Sequence, residues 1–213
     1  EQGPLVPLLD IQGLSFARDH RDLARDLAFS LSPGDILRVE GPNGSGKTTL
    51  LRILAGLFTD YRGELCYRGQ PLRGSGRHTL CSESHFLGHQ SALKLSLTAL
   101  ENLQWLAALN ATRVSMDAIE AALNRVGLRG YEEVPCRQLS AGQQRRVALA
   151  RLFLVPASLW LLDEPFTALD RQAVAELEGR IADFAAEGGV VVLTTHHALR
   201  DMDGLRSLSL GAL

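Results

Sequence analysis

The stretch GPNGSGKTTL, Gly41 to Leu50, gathers three glycines and a lysine into seven residues directly before a run of leucines. Gly41, four residues, then Gly46, Lys47 and Thr48 satisfy G-x-x-x-x-G-K-[ST], the loop that wraps the phosphates of a nucleotide. Glycine suits that task because, lacking a Cβ, Gly41, Gly44 and Gly46 reach positive φ and let successive backbone N–H groups converge on an anion. The following helix adds the positive end of its dipole. Pro42, Asn43, Ser45 and Thr49 complete the loop and its exit. Lys47 is placed to reach terminal phosphates as a point charge, and Thr48 to offer a hydroxyl to Mg²⁺. Lys47 and Lys94 are the only lysines among 22 basic residues, so a lysine in this loop is not background.

Working outward, Lys47 to Leu57 reads as a helix with Leu50, Leu51, Ile53, Leu54 and Leu57 facing inward. Upstream, LLDIQGLSF and DLAFSLSPGDILRVE read as short alternating strands turned at Ser32-Pro33-Gly34-Asp35, a meander that leads into the glycine loop. Downstream, SLTALENLQWLAALN carries Thr98 and Glu101 in capping-box spacing, and SMDAIEAALNRVG starts at Ser115 and stops at Gly127. SLWLLDEP and GGVVVLTTH are nearly continuous apolar runs, as expected of parallel strands buried on both faces, with RQAVAELEGRIADFAAEGG as the crossover helix between them. LRSLSLGAL reads as an edge strand or tail.

The composition bounds what such a chain can do. At 213 residues and 46% hydrophobic, it can bury the core of a single domain. The net charge of −2 with scattered arginines argues against nucleic acid as a partner. No apolar run approaches the ~18 residues that a membrane helix requires, because Arg151 interrupts the longest candidate, and no signal-peptide pattern is read. Cys66, Cys81 and Cys136 are widely spaced and suggest reduced thiols rather than a disulfide framework. His85 and His89 have i, i+4 spacing, but no helix is evident there to turn them into a metal pair.

Two further stretches carry chemistry. Asp163 and Glu164 follow the apolar run Leu159–Leu162, placing two acids at the carboxyl end of a buried strand, where open α/β sheets bind ligands. Asp163 can hold Mg²⁺, directly or through water, and Glu164 can polarise an attacking water. LSAGQQRRVALARL, Leu139 to Leu152, closely resembles the LSGGQ signature of ATP-binding cassette (ABC) ATPases, with Ala141 where glycine is commoner. The resemblance runs from about Leu8 to Ser209.

It implies an α/β P-loop fold of the ABC ATPase type: a RecA-like mixed-sheet core, an N-terminal antiparallel β part and an inserted helical subdomain. One domain is expected over 1–213, with 1–90 and 158–213 as the catalytic core and about 91–157 as the helical part carrying the signature. The resemblance further implies ATP and Mg²⁺ as ligands and a homodimer arranged head to tail. In it the signature residues Ser140, Ala141, Gly142 and Gln143 of one copy close over the ATP held by the other. Gln90 matches the loop glutamine that meets Mg²⁺ and water, Asp170 the D-loop aspartate after Thr167-Ala-Leu, and His196 the switch histidine that bonds the γ-phosphate. His197 matches no motif and reads as solvated surface. The adenine-stacking position falls on Phe16 or Arg18, with spacing favouring Arg18.

A narrower resemblance, carried by Gly88-His89-Gln90, LTALENL, the SAGQQ form of the signature and LTTHH, is to the ATPase subunits of the bacterial cytochrome c maturation system, which serve haem export. It implies an integral-membrane permease subunit as partner, a peripheral place on the cytoplasmic face of the inner membrane, and no direct haem binding by this chain.

Overall fold

The computed structural model describes residues 6–211. Along the chain, β1 (Leu9–Arg18) and β2 (Arg21–Leu31) make a hairpin; β3 (Ile36–Glu40), the glycine loop and α1 (Lys47–Leu54) follow. Next come β4 (Tyr61–Tyr67), the two-residue β5 (Gln70–Pro71), α2 (Gly76–Glu83) and β6 (Ser84–Leu87). Three helices, α3 (Ala99–Leu109), α4 (Met116–Arg125) and α5 (Ala141–Ala150), precede β7 (Leu159–Asp163), α6 (Arg171–Ala186), β8 (Val190–Thr194) and β9 (Leu205–Ser209).

The strands form two sheets, an antiparallel one of order β2-β1-β4-β5 and a parallel one of order β6-β7-β8-β3-β9. The expected meander into the glycine loop is corrected by this division. Asp35 N donates to the Ser32 carbonyl (3.0 Å) and Ser32 N to Asp35 Oδ2 (2.7 Å). That turn sends β3 out of the hairpin's sheet and into the parallel one, between β8 and β9. Burial gives the reason: Ile36 belongs to one apolar core and Leu37 and Val39 to the other. A strand covered on both faces belongs inside a parallel sheet.

The same alternation runs through β7 and β8. Trp160, Leu162, Val191 and Leu193 point into the core built with the helices, while Leu159, Leu161, Val190 and Val192 point toward α1 and the antiparallel sheet. α1 is shorter than its leucine pattern suggests. Gly56 takes φ +73 and Leu57 and Phe58 both donate N–H bonds back to the Arg52 carbonyl (2.9 and 3.2 Å), closing the helix end. Leu50, Leu51, Ile53 and Leu54 face inward as expected, but Leu57 lies past the stop and is 53% exposed.

The helices between β6 and β7 begin where their caps predict. Thr98 and Glu101 form a reciprocal capping box on α3, Ser115 caps α4, and Gly127 turns the chain at φ +79. On α5, Ser140 and Gln143 make a second box. Fully buried Asn102 joins this lobe to the preceding segment. Its amide donates to the Lys94 and Thr98 carbonyls (2.9 and 3.0 Å) and accepts from Lys94 N (2.8 Å).

Candidate active site

The glycine loop links the carboxyl end of β3 to the amino end of α1. Gly46 is the residue before the helix, in the left-handed region at φ +98, and it supplies no side-chain cap. The first turn of α1 therefore offers its N–H groups without a side-chain cap of its own. Gly41 is at φ +149, and a Cβ there would lie 2.6 Å from both the Leu210 carbonyl oxygen and Ser45 Oγ. Ser45 Oγ is buried with no hydrogen-bond partner among the described residues, as a group meant for a ligand oxygen would be. Lys47 Nζ donates to the Gly41 and Pro42 carbonyls, the latter at 3.2 Å.

Beside the loop, the two acids at the end of β7 are held differently. Asp163 is buried. Its Oδ1 accepts from Thr194 Oγ1 (2.6 Å) and its Oδ2 from Thr48 Oγ1 (2.9 Å), so the carboxylate bridges β8 to the start of α1. Glu164 has φ +49, an uncommon conformation for a non-glycine residue. Its N–H donates to both the carbonyl (3.1 Å) and the hydroxyl (2.9 Å) of Thr194. Its carboxylate faces His196, accepting from the backbone N–H (3.3 Å) and lying 3.3 Å from ring Nε2. Hard oxygen donors from Thr48 and Asp163, placed side by side, fit Mg²⁺ by chemistry.

One cleft is lined by Asn43, Gly44, Lys47 and Thr48 of the loop, by Gln90, by Asp163 and Glu164, and by His196. Arg18 lines it too. Phe16 is 4% exposed and packs under the loop, where a Cβ on Gly46 would come within 3.1 Å of its ring. Of the two candidates for base stacking, Arg18 is therefore the one at the cleft. Ala141 and Gly142 reach its far wall, while Ser140 and Gln143 bond each other in their capping box outside it. Asp170 caps α6, accepting from Ala173 N (2.8 Å), and does not line the cleft; nor does buried Thr49.

His85 and His89 part company. His85 is buried in β6 with Nε2 donating to the Val155 carbonyl (3.0 Å), and burial aided by the nearby Arg151 charge pushes its pKa down to about 4. His89 lines the cleft. His197 is not the solvated residue expected. Its ring packs on Phe166 (centroids 4.9 Å apart), and Nε2 sits 3.2 Å from Oε1 of buried Glu178. Sequence reading missed two residues of this site. Thr194 was read only as strand, and Arg145, whose guanidinium reaches the backbone at both Gly88 and Glu164, lies in a signature stretch where neighbouring Arg146 looks the same. The only local signal for Thr194 is a hydroxyl at the end of an otherwise apolar strand.

Residues 24–167 match the family model described as ABC transporter. A cytochrome c biogenesis ATP-binding export protein, CcmA, of Pseudomonas putida is 55% identical over 204 residues, covering 95% of this chain and 96% of that protein. The protein of the same description from Vibrio cholerae is 47% identical, covering 96% and 99%. Among solved structures, a Pyrococcus furiosus protein described as an ABC transporter ATP-binding protein aligns with a TM-score of 0.79 at 27% identity, over 94% of this chain and 96% of that one. An ATP-binding subunit of an ABC transporter gives 0.76 at 26% identity, over 89% and 79%. With this fold, this cleft and that identity along nearly its whole length, the chain is an ATPase that belongs to the ABC transporter family, among the cytochrome c biogenesis ATP-binding export proteins.

Proposed function

We propose that this ATPase drives a membrane complex that exports haem, or releases a haem-loaded chaperone, during cytochrome c maturation. Two copies work head to tail beneath an integral-membrane permease, peripheral to the cytoplasmic face of the membrane. No helix among the described residues is long and apolar enough to cross a bilayer, which accords with a permease supplied by another chain. The identity to the P. putida and V. cholerae export proteins supports the pathway. The family signature at an exposed helix start supports a second copy completing the site.

The observation that carries the catalytic reading is the placement of Glu164, its carboxylate against His196 and its neighbour Asp163 bonded to Thr48 of the glycine loop. Loop amides and Lys47 bind the ATP phosphates, and Arg18 stacks on the base. Thr48, Asp163 and Gln90 would hold Mg²⁺, which when bound would supply neutralisation of phosphate charge. Glu164 takes the proton of the attacking water as its oxygen bonds to the γ-phosphorus. The bond to the β-phosphate oxygen breaks, and ADP leaves with that electron pair. His196 orients the γ-phosphate, and the partner's signature helix start closes the site over it. Positioning and fixed charge do the catalysis.

Glu164→Gln tests this. It keeps the fold and the backbone N–H bonds donated to Thr194 but removes the base, so ATP binding is retained, a closed dimer accumulates with Mg·ATP, and turnover falls by about 10²–10⁴-fold. Wild-type turnover in that variant overturns the assignment. A chain that stays monomeric with Mg·ATP, in the variant and within its membrane complex, overturns the two-copy site.

A further inference from the structure

We propose that Arg145 is a positioning residue for hydrolysis: one guanidinium that joins the signature helix to the backbone carrying the two acids and to the backbone leading into Gln90. The inference rests on the catalytic reading above and adds to it a residue outside the motifs that reading used.

The geometry is specific. Arg145 stands on the second turn of α5, the helix that Ser140 caps. Nη1 donates to the Gly88 and His89 carbonyls, both at 3.1 Å. Nη2 donates to the carbonyls of Asp163 and of Glu164, the latter at 2.7 Å. Four acceptors on two strand exits therefore converge on two nitrogens of one planar group.

The sheet explains why such a group is needed. β6 and β7 are paired from Ser84↔Leu159 to Leu87↔Leu162, and there the ladder ends. Gly88 and His89 continue from one strand, Asp163 and Glu164 from the other, and their carbonyls look into a half-buried gap where, apart from the Thr167 N–H at 3.3 Å on the Glu164 carbonyl, Arg145 is the donor. Arg145 spans that gap. Only arginine presents donors in a rigid plane wide enough to do so; lysine is a single point with three rotatable hydrogens. The arrangement has a cost, because burial lowers the Arg145 pKa, partly offset by the nearby Asp163 and Glu164 charges. Its Nε is buried without a partner among the described residues.

The consequence concerns alignment. Glu164 already sits at φ +49, so its carboxylate direction depends on bonds that fix its backbone on both sides: Thr194 at the N–H, and at the carbonyl Arg145 (2.7 Å) with the Thr167 N–H at a longer 3.3 Å. Gln90 follows the two carbonyls that Nη1 holds. Because the same guanidinium rides on the helix whose start meets the other copy's nucleotide, a shift of α5 on closure is transmitted to the base and the glutamine through four hydrogen bonds.

The test uses Arg145→Lys and Arg145→Gln in the full chain with its membrane partner, each also combined with Glu164→Gln. Melting temperature and equilibrium ATP binding report on folding and on the glycine loop, which Arg145 does not touch. The expected result is a kcat lower by at least ~10-fold, about the worth of one well-made charge-assisted bond, with KM for ATP within about twofold. In the Glu164→Gln background the same substitutions should cost little further rate, because a base already removed cannot be misaligned. Arg145→Lys hydrolysing at the wild-type rate overturns the proposal. So do rate losses that multiply fully with that of Glu164→Gln, or a loss that appears only in KM or that tracks melting temperature alone. Failure of Glu164→Gln itself to slow hydrolysis refutes the catalytic reading instead, and the two failures are distinguishable.

Discussion

Thr194→Val isolates the hydroxyl that supports both acids at once. Valine matches threonine in shape, so no cavity opens and the fully buried site keeps its packing. What disappears is the 2.6 Å bond to Asp163 Oδ1 and the 2.9 Å bond accepted from Glu164 N–H. A hydrogen bond to a buried carboxylate contributes about 1.5–3 kcal/mol, and the orphaned oxygen must remain desolvated. The Glu164 N–H keeps the Thr194 carbonyl at 3.1 Å, so that half of the loss is well under ~1 kcal/mol. The sum is about 2–3 kcal/mol, which for a chain of this size lowers the melting temperature by roughly 4–12 °C. Hydrolysis should fall as well, because the Asp163 carboxylate is left fastened only by Thr48 and the Glu164 N–H loses one of its two acceptors. Thr194→Ser separates the contributions: it removes a buried methyl worth about 1 kcal/mol but keeps the hydroxyl, so it should lose some stability and little rate. Calorimetric melting and steady-state ATPase assays on the three proteins decide the matter. Thr194→Val that melts within about 1 °C of wild type and turns over at the wild-type rate refutes the role given to that hydroxyl.

His85 makes stability depend on acid. Its folded pKa of about 4 lies below the ordinary 6.5, so below pH 6.5 the unfolded chain takes up a proton that the folded chain refuses. Stability is therefore lost as pH falls, by about 2 kcal/mol on going from pH 7.5 to pH 5. His85→Gln, which keeps a donor for the Val155 carbonyl without titrating, should flatten that part of a urea-melt pH series; an unchanged slope contradicts the buried neutral imidazole. Asn102→Leu removes the acceptor of the Lys94 N–H at a fully buried position, while the Lys94 and Thr98 carbonyls keep the backbone N–H groups of Leu97 (3.1 Å) and residue 102 (2.9 Å). A loss of about 1–3 kcal/mol is expected, with faster amide exchange confined to the stretch after Gln90; unchanged exchange there removes the joining role of Asn102. Gly41→Ala forces a Cβ against the Leu210 carbonyl and Ser45 at a φ that alanine resists. It should abolish ATP binding in equilibrium titrations, where wild-type affinity would contradict the tight loop geometry.

The parts of this site legible in sequence are those whose chemistry is set by neighbours along the chain. The glycine loop needs its glycines and Lys47 at fixed offsets. Asp163 and Glu164 sit together at the end of an apolar run, and the capping box of Thr98 and Glu101 is complete within four residues. What stayed hidden depends on pairing between distant segments. Thr194 matters because β8 lies against β7, a register that no local pattern encodes. Arg145 matters because α5 returns over the gap between β6 and β7, and at sequence level it cannot be told from Arg146, which bonds the Ala168 carbonyl instead. Leu57 was misread because the leucine period continues through Gly56, whose positive φ ends the helix before the period does. His197 was misread because Glu178 and Phe166, its two neighbours in space, are 19 and 31 residues away along the chain.

The order of the parallel sheet explains how motifs spread over more than 150 residues become one cleft. The glycine loop leaves β3, Gln90 follows β6, the acids close β7 and His196 follows β8. In space these strands are consecutive, β6-β7-β8-β3, although in sequence β3 precedes the others. Because all four run parallel, their carboxyl ends fall along one edge, and the glycine loop, Gln90, the two acids and His196 all project from that edge. Moving β3 out of the hairpin sheet into this one is thus the decisive step of the fold. Had the chain continued as a meander, the glycine loop would have opened from the antiparallel sheet, and Thr48 could not have met Asp163. The Thr48–Asp163 bond at 2.9 Å, joining positions 115 residues apart, is the local mark of that crossing. It places the glycine loop proposed to bind the nucleotide and the two acids proposed to serve its hydrolysis on a single support.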